Sequence, residues 1–544
     1  MSIIDIPLMR GERPRVIGHL LPDACATQAR NCHFRHGVIS PLREDLETSI
    51  TLPITPRTLF HYRDDFWFTW PRRVDAIHSP VAQDQYGRVY FTDGQAPQVT
   101  SASIATRGQG RYPAASYRLG VPAPPYPPQI GEIRYPEGEG EVLNDPLDDE
   151  TRFYVETYVT AYGEEGPPGP VSHEVTIPYP GSRVTLQLAA LVAQNHNISR
   201  RRLYRSVTGG GVVDYLLVAE LNIAQTTYED ALPSAVLGGV LETYDYLMPP
   251  DNMVGLCLMA NGIAAGFAGN EVLFSAAYLP YAWPNAYRQS TEHDIVAMAA
   301  LGTSLVVTTQ GYPYLFSGVS PGSMTSSKLP ILQACSSADS LVEMDGFVLY
   351  ASANGLVSVD PQGNARLATE AIIDPRQWRR QFRPETIRAW SVEGEYFAHY
   401  QDAQQRRAGF IFDPQAMDLR HTDSVFDCAA RQLASDQYYI ARQQRLYQLQ
   451  QGTHPRAMYW CSKVFLAPAN TAFSCLRVLS PQPLQVGVHL IIDDAIAFSL
   501  PPGTLTEPVV KLPPLMGRRW QIACYGTAQV DRLTLSTSMA RLPA

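Results

Sequence analysis

Five stretches in the middle of the chain repeat one pattern without repeating one sequence. They begin at Asn261 (NGIAAGFAGNEVLFS), Gly302 (GTSLVVTTQGYPYLFS), Asp345 (DGFVLYASANGLVSVD), Glu393 (EGEYFAHYQDAQQRRAGFIFD) and Ser435 (SDQYYIARQQRLYQLQ). Each is an apolar or alternating run, a polar or Gly-containing turn, and a second such run, which is the local signature of a β-hairpin. Their starts lie about 40–50 residues apart, the length that a four-stranded propeller blade requires. A further two-run stretch around Tyr86-Gly87, within residues 60–94, has the same form and is a sixth candidate unit. An extended β-sandwich with regular meander spacing is the competing reading.

Composition agrees with a β protein. Of 544 residues only 17% are charged, while 44 Pro, 38 Gly and 29 Tyr supply turn formers and strand formers. The predicted fold class is therefore all-β: a β-propeller with an inserted β-sandwich and a small C-terminal β-domain. A long helical or coiled-coil protein is excluded.

The insertion is bounded by two Pro-rich stretches, VPAPPYPPQ (121–129) and YLMPPDN (246–252). Between them lie short candidate strands at sandwich spacing, RFYVETYVT, RVTLQL, RRLYRS and DYLLVAEL. The expected organisation is an N-terminal segment with a first propeller unit over 1–120, the sandwich over 121–250, and further blades over 251–455. Residues 456–544 would form a C-terminal β-domain or the ring closure. Residues 374–382, DPRQWRRQF, are one of the few plausible helices.

The net charge is −9, and all but Lys328, Lys463 and Lys511 of the 43 basic residues are Arg. An excess of carboxylates argues against a protein that grips duplex DNA by its phosphates. The beginning of the chain lacks a basic n-region followed by an apolar h-region, so no secretory signal is expected. The uncharged stretch from Ile295 to Ser327 is broken by Gly302, Gln310, Gly311 and Pro313 and reads as buried strands. The eight cysteines contain no CxxC pair and are expected to be reduced and mostly buried.

Each motif that could carry chemistry has a plainer reading. Gly318-Val319-Ser320-Pro321-Gly322 matches the GxSxG nucleophile elbow, but the residue after Ser320 is Pro321, which has no N–H for an oxyanion. Cys25, Cys32, His33 and His36 cluster, yet their spacing is not that of structural zinc, and the segment reads as an extended strand. The acidic pairs Asp64-Asp65, Asp148-Asp149 and Asp493-Asp494 cannot be brought together by sequence. Arg201-Arg202, Arg379-Arg380 and Arg406-Arg407 read as solvated faces or inter-subunit salt bridges. Most of the seven tryptophans read as core. The expectation is no catalytic, cofactor-binding or metal residue, no cofactor, and no enzyme.

Taken together, LPDACATQARNCHFRHGVISPLR (21–43), GRVYFTDGQAPQVT (87–100), YVTAYGEEGPPGPVS, the stretches 261–284 and 294–318, and YASANGLVSVD resemble a family of bacteriophage and prophage virion proteins. The functional class this resemblance suggests is the tail nozzle, or tail tubular protein B-like component, of short-tailed phages. Separately, YVTAYGEEGPPGPVS followed by RLYRS resembles a fibronectin type III domain. The nozzle resemblance implies a ring of copies, typically six, below the portal and adaptor. Such a ring passes phage DNA transiently during ejection, docks fibres or spikes, takes no small-molecule substrate, and is found in the virion tail after assembly in the host cytoplasm. Six copies would carry about −54 formal charges, and an acidic lumen would repel phosphates. The readings from other classes are a propeller glycosidase or a receptor-binding module acting on host surface polysaccharide.

Overall fold

The computed structural model describes residues 3–136, 149–179, 181–192, 194–209 and 212–542. The chain divides into two compact units, one of residues 1–73, 293–316 and 326–544, the other of residues 74–292 and 317–325. Among the described residues, no helix is long and apolar enough to cross a membrane.

The chain is all-β and its fold class is the β-propeller. Its recurring element is a four-stranded antiparallel sheet whose strands follow one another along the chain. In the first unit Val342–Glu343, Val348–Ser352, Gly355–Val359 and Ala365–Leu367 make one such sheet. The strands Arg388–Val392, Glu395–Gln401, Arg407–Asp413 and Asp418–Thr422 follow in the same order. First strands pack side by side: Ile295–Leu301 lies against Val342–Glu343, which lies against Arg388–Val392. Packing of this kind buries an inner strand on both faces, so Val348–Ser352 is buried throughout and reads VLYAS without alternation, whereas the inner strand Gln437–Arg442 of the last sheet is only half-buried. In the second unit the same arrangement recurs with Asp75–His78 and Val254–Leu258 as neighbouring first strands.

The five hairpins predicted from Asn261 onward are the second and third strands of these sheets, as at Ala264–Ala268 with Glu271–Phe274. The runs around Tyr86-Gly87 are instead the first and second strands of theirs, Asp75–His78 and Val89–Thr92. The last sheet, Cys428–Gln432, Gln437–Arg442 and Arg445–Gln448, is completed by Leu46–Thr51 from the far end of the chain. Sequence order alone does not reveal this closing strand.

The last ninety residues form strands that share a core with the first forty. Ile3–Ile6 pairs with Arg532–Ser536, and Ala26–Arg30 pairs with Met458–Ser462. Ile4, Ile6, Met9 and Cys32 are buried with Trp460, Trp520, Leu533 and Leu535.

Within the second unit, the described strands between Gln129 and Asp230 form two three-stranded sheets that share a core, and a two-stranded ribbon of Glu150–Arg152 with Val175–Ile177. One sheet is ordered Gln129–Arg134, Arg183–Gln187, Thr227–Asp230; the other is Tyr154–Thr160, Ile198–Gly209, Val212–Asn222. Tyr154, Val184, Leu186, Leu203 and Val218 pack between them. All seven residues of Tyr154–Thr160 are buried, so this strand has no wet face. The leading Pro-rich segment is packed rather than free: a Cβ at Gly166 would meet Val121 at 2.7 Å, and one at Gly169 would meet the Pro124 carbonyl oxygen at 2.7 Å. The helix expected over 374–382 is present as Pro375–Phe382, capped by the Asp374 side chain, which accepts from the N–H groups of Arg376 and Gln377.

Candidate functional site

A group of ionisable side chains shifted from their ordinary pKa values borders a cavity where Ala26–Arg30 joins two other elements. This strand runs parallel to Asp418–Thr422 and antiparallel to Met458–Ser462. Glu12 reaches it from the preceding segment, with its own N–H donating to Leu419 O at 2.7 Å. Glu12 Oε1 accepts from Ala29 N–H at 2.6 Å, and Oε2 stands 3.6 Å from His421 Nε2. Burial pushes the Glu12 carboxyl up to about 8, outweighing the hydrogen bond from Ala29. Burial likewise holds His421 below the usual imidazole range, with Arg30 acting in the same direction. At neutral pH the pair is therefore a carboxylic acid beside a neutral imidazole.

Glu12 and His421 line a cavity of about 860 Å³ together with Arg30, Asp402, Arg406 and Tyr459, among others. Its guanidinium groups are matched by carboxylates. Arg30 Nε donates to Asp423 at 2.8 Å, Arg406 Nε donates to Asp402 at 2.9 Å, and Arg407 Nη1 donates to Asp427 at 2.7 Å. A second cavity of about 860 Å³ lies among hairpin tips and is bordered by Glu343, Asp345, Trp390, Glu393 and Arg431. Burial raises the Glu343 carboxyl, while Arg431 opposes the shift.

The residues singled out in the sequence fall elsewhere. Ser320 caps a single turn at Pro321–Ser323 and exchanges a hydrogen bond with Ser323, so the GxSxG match is a turn and not a nucleophile elbow. The Cys25–His36 segment is not one extended strand. It breaks after Cys32–His33 into a turn at Arg35–Gly37, with His36 at φ 58°, so Cys32 and His36 do not share a face. Burial pushes the Cys32 thiol up to about 12 and His33 down to about 4. Among the described residues, no group of three or more His, Cys, Asp or Glu side chains is placed to hold a metal ion.

Asp493 and Asp494 form a hairpin turn, and Asp64 sits in another. Asp148 lies outside the described residues. Arg379 donates to Asn354, and Arg406 and Arg407 are exposed in the ion pairs named above. Six of the tryptophans are buried, and Trp390 is half-buried.

Arg201 departs from the expectation of a solvated face, because it is completely buried. Along RRLYRS the alternation of a strand puts Arg201, Leu203 and Arg205 on one side, and Leu203 belongs to the sandwich core. Arg201 donates to the carbonyls of Ala189 and Ile223 and lies 3.1 Å from Glu156. Burial nonetheless raises the Glu156 carboxyl to about 7. Arg205 Nη1 donates to Asp230 at 2.7 Å, and Tyr154 OH donates to the same oxygen at 2.7 Å.

The two glutamates of YVTAYGEEGPPGPVS are also framework. Arg88 donates to Glu164 at 2.7 Å. Glu165 accepts from Thr157, Arg202 and Tyr204. No sequence signal marked Glu12 or His421, since the two lie about 400 positions apart along the chain.

No protein-family model matches the chain, and no curated protein matches it in sequence. Solved structures to which it is similar include the WD40 domain of Toxoplasma gondii coronin, at 10% identity and TM-score 0.26, covering 60% of this chain and 79% of that one. BBS1N in complex with ARL6DN matches at 8% identity and TM-score 0.30, covering 76% and 98%. BamB from Moraxella catarrhalis matches at 9% identity and TM-score 0.22, covering 59% and 95%. The fold class rests on the chain's own recurring sheets.

Proposed function

We propose that this protein is a structural component of a bacteriophage tail, of the nozzle or tail-tube kind. In this reading copies of the chain, six by the family resemblance, form a ring below the portal and adaptor. DNA passes through the ring during ejection, and fibres or spikes dock on its outside. The chain carries no catalytic step in this role and resides in the virion. The sandwich over 121–250 is the fibronectin type III-like module of that assembly.

The observation that supports the reading best is where the resembling stretches fall. YVTAYGEEGPPGPVS, residues 261–284 and residues 294–318 supply buried strands and close backbone contacts, with Glu164 spent on a buried pair with Arg88 and Glu165 on the partly exposed Arg202. Such residues suit a rigid part that must hold its shape under load. The acidic surplus fits a channel that repels phosphates.

Negative-stain micrographs of the purified chain, with sedimentation against tail particles, test the proposal. Closed rings of uniform diameter, or co-sedimentation with tails, are expected. A chain that stays monomeric at high concentration and never co-sediments would overturn it.

A further inference from the structure

We propose that the cavity between the strand Ala26–Arg30 and the hairpin around Asp402–Arg406 is a binding site for a neutral saccharide. The proposal is independent of the ring.

Size comes first: about 860 Å³ lies within the range of pockets that enclose small ligands. The floor offers a carboxyl and an imidazole 3.6 Å apart, tied to the backbone through Ala29 N–H on one side and to Gln381 Nε2, 3.2 Å from His421 Nε2, on the other. Glu12 lines the cavity, and its Oε2, unlike Oε1, is not taken up by the backbone. Burial keeps both groups uncharged at neutral pH, and since the imidazole is engaged by Gln381 and the Gly409 backbone, the polar group the floor offers a ligand is the neutral Glu12 carboxyl.

Charge decides the ligand class. An anion site needs cations in excess, but Arg30, Arg406 and Arg407 each face an aspartate, namely Asp423, Asp402 and Asp427. A cation site needs carboxylates in excess, and the same pairing removes it. What remains is a mouth dense in paired donors and acceptors, with the half-buried Tyr459 on its wall. Hydroxyl groups both donate and accept, and the C–H faces of a sugar ring suit an aromatic side chain. Ordered waters at such groups are replaced by hydroxyls with little loss of hydrogen bonding.

Saturation-transfer-difference NMR on the full chain, with glucose, galactose, mannose, N-acetylglucosamine, lactose and maltose as probes, tests the site. Inorganic phosphate serves as the anionic arm. At least one sugar should show transfer, with an affinity that weakens about tenfold or more in Tyr459→Ala and in Arg406→Ala. Arg406 is exposed on its hairpin, so its removal leaves the core untouched. Absence of transfer to all six sugars from a folded chain would overturn the proposal. So would displacement of a bound sugar by phosphate, or sugar binding unchanged in both variants.

Discussion

Arg205 has no exposed side-chain surface, and neither has its partner Asp230. A buried pair costs desolvation of both charges, so its net contribution is small, but breaking it leaves Asp230 with Arg152, 3.7 Å away, as the nearby cation and without a charged hydrogen-bond donor. Arg205→Met should therefore lower stability by about 3–5 kcal/mol, read by urea unfolding. A loss under 1 kcal/mol would mean that water reaches Asp230. Glu12 makes a pH-dependent counterpart. Its carboxyl rises from 4.5 in a model peptide to about 8 in the fold, so between those values the folded state holds a proton that the unfolded chain has released. Its contribution is complete below about 4.5 and is lost as pH rises towards 8. Relative to Glu12→Gln, the native chain should lose stability across that window at up to roughly 1.4 kcal/mol per pH unit. Parallel curves for the two proteins would refute the assignment. Neither residue announced itself in the sequence, because RRLYRS and RGERPR look alike as charged runs until the neighbours are known.

At the scale of elements, the hairpins were legible because their chemistry is local: an apolar run, a turn residue, another run. The outer members of each sheet were not. Val342–Glu343 and Gln289–Ser290 are two residues long, too short to display a period. The GPPGP turn shows a different kind of element-scale constraint. At Gly169 a side chain would press on the Pro124 carbonyl oxygen, which belongs to a stiff proline-rich segment with little room to yield. Gly169→Ala should cost roughly 1–3 kcal/mol of stability in thermal unfolding, although alanine is normally harmless in an extended turn. An unchanged melting temperature would show that the two segments separate freely.

Across the whole molecule, the Ile3–Ile6 strand is paired to Arg532–Ser536, and Asp5 accepts from Arg532 Nε at 2.8 Å and from Thr534 Oγ1 at 2.8 Å. Ile6 is buried there among Leu533 and Leu535. Truncating it in Ile6→Ala removes core volume, at a cost of about 2–5 kcal/mol. Hydrogen exchange should then quicken at the Leu533–Ser536 amides before it does at Val348–Ser352. Equal acceleration at both places would show that the two core clusters, which lie in one compact unit, open together. By itself the amino-acid order determined the β class, the spacing of the recurring hairpins, the helix over Pro375–Phe382 and the buried tryptophans, since each depends on periodicity or residue type within a short window. Only the tertiary structure decided which strand closes the last sheet, which arginines lie inside the sandwich, and that Glu12 meets His421 beside a cavity. Those facts depend on contacts between residues far apart in the chain, and no local pattern encodes them.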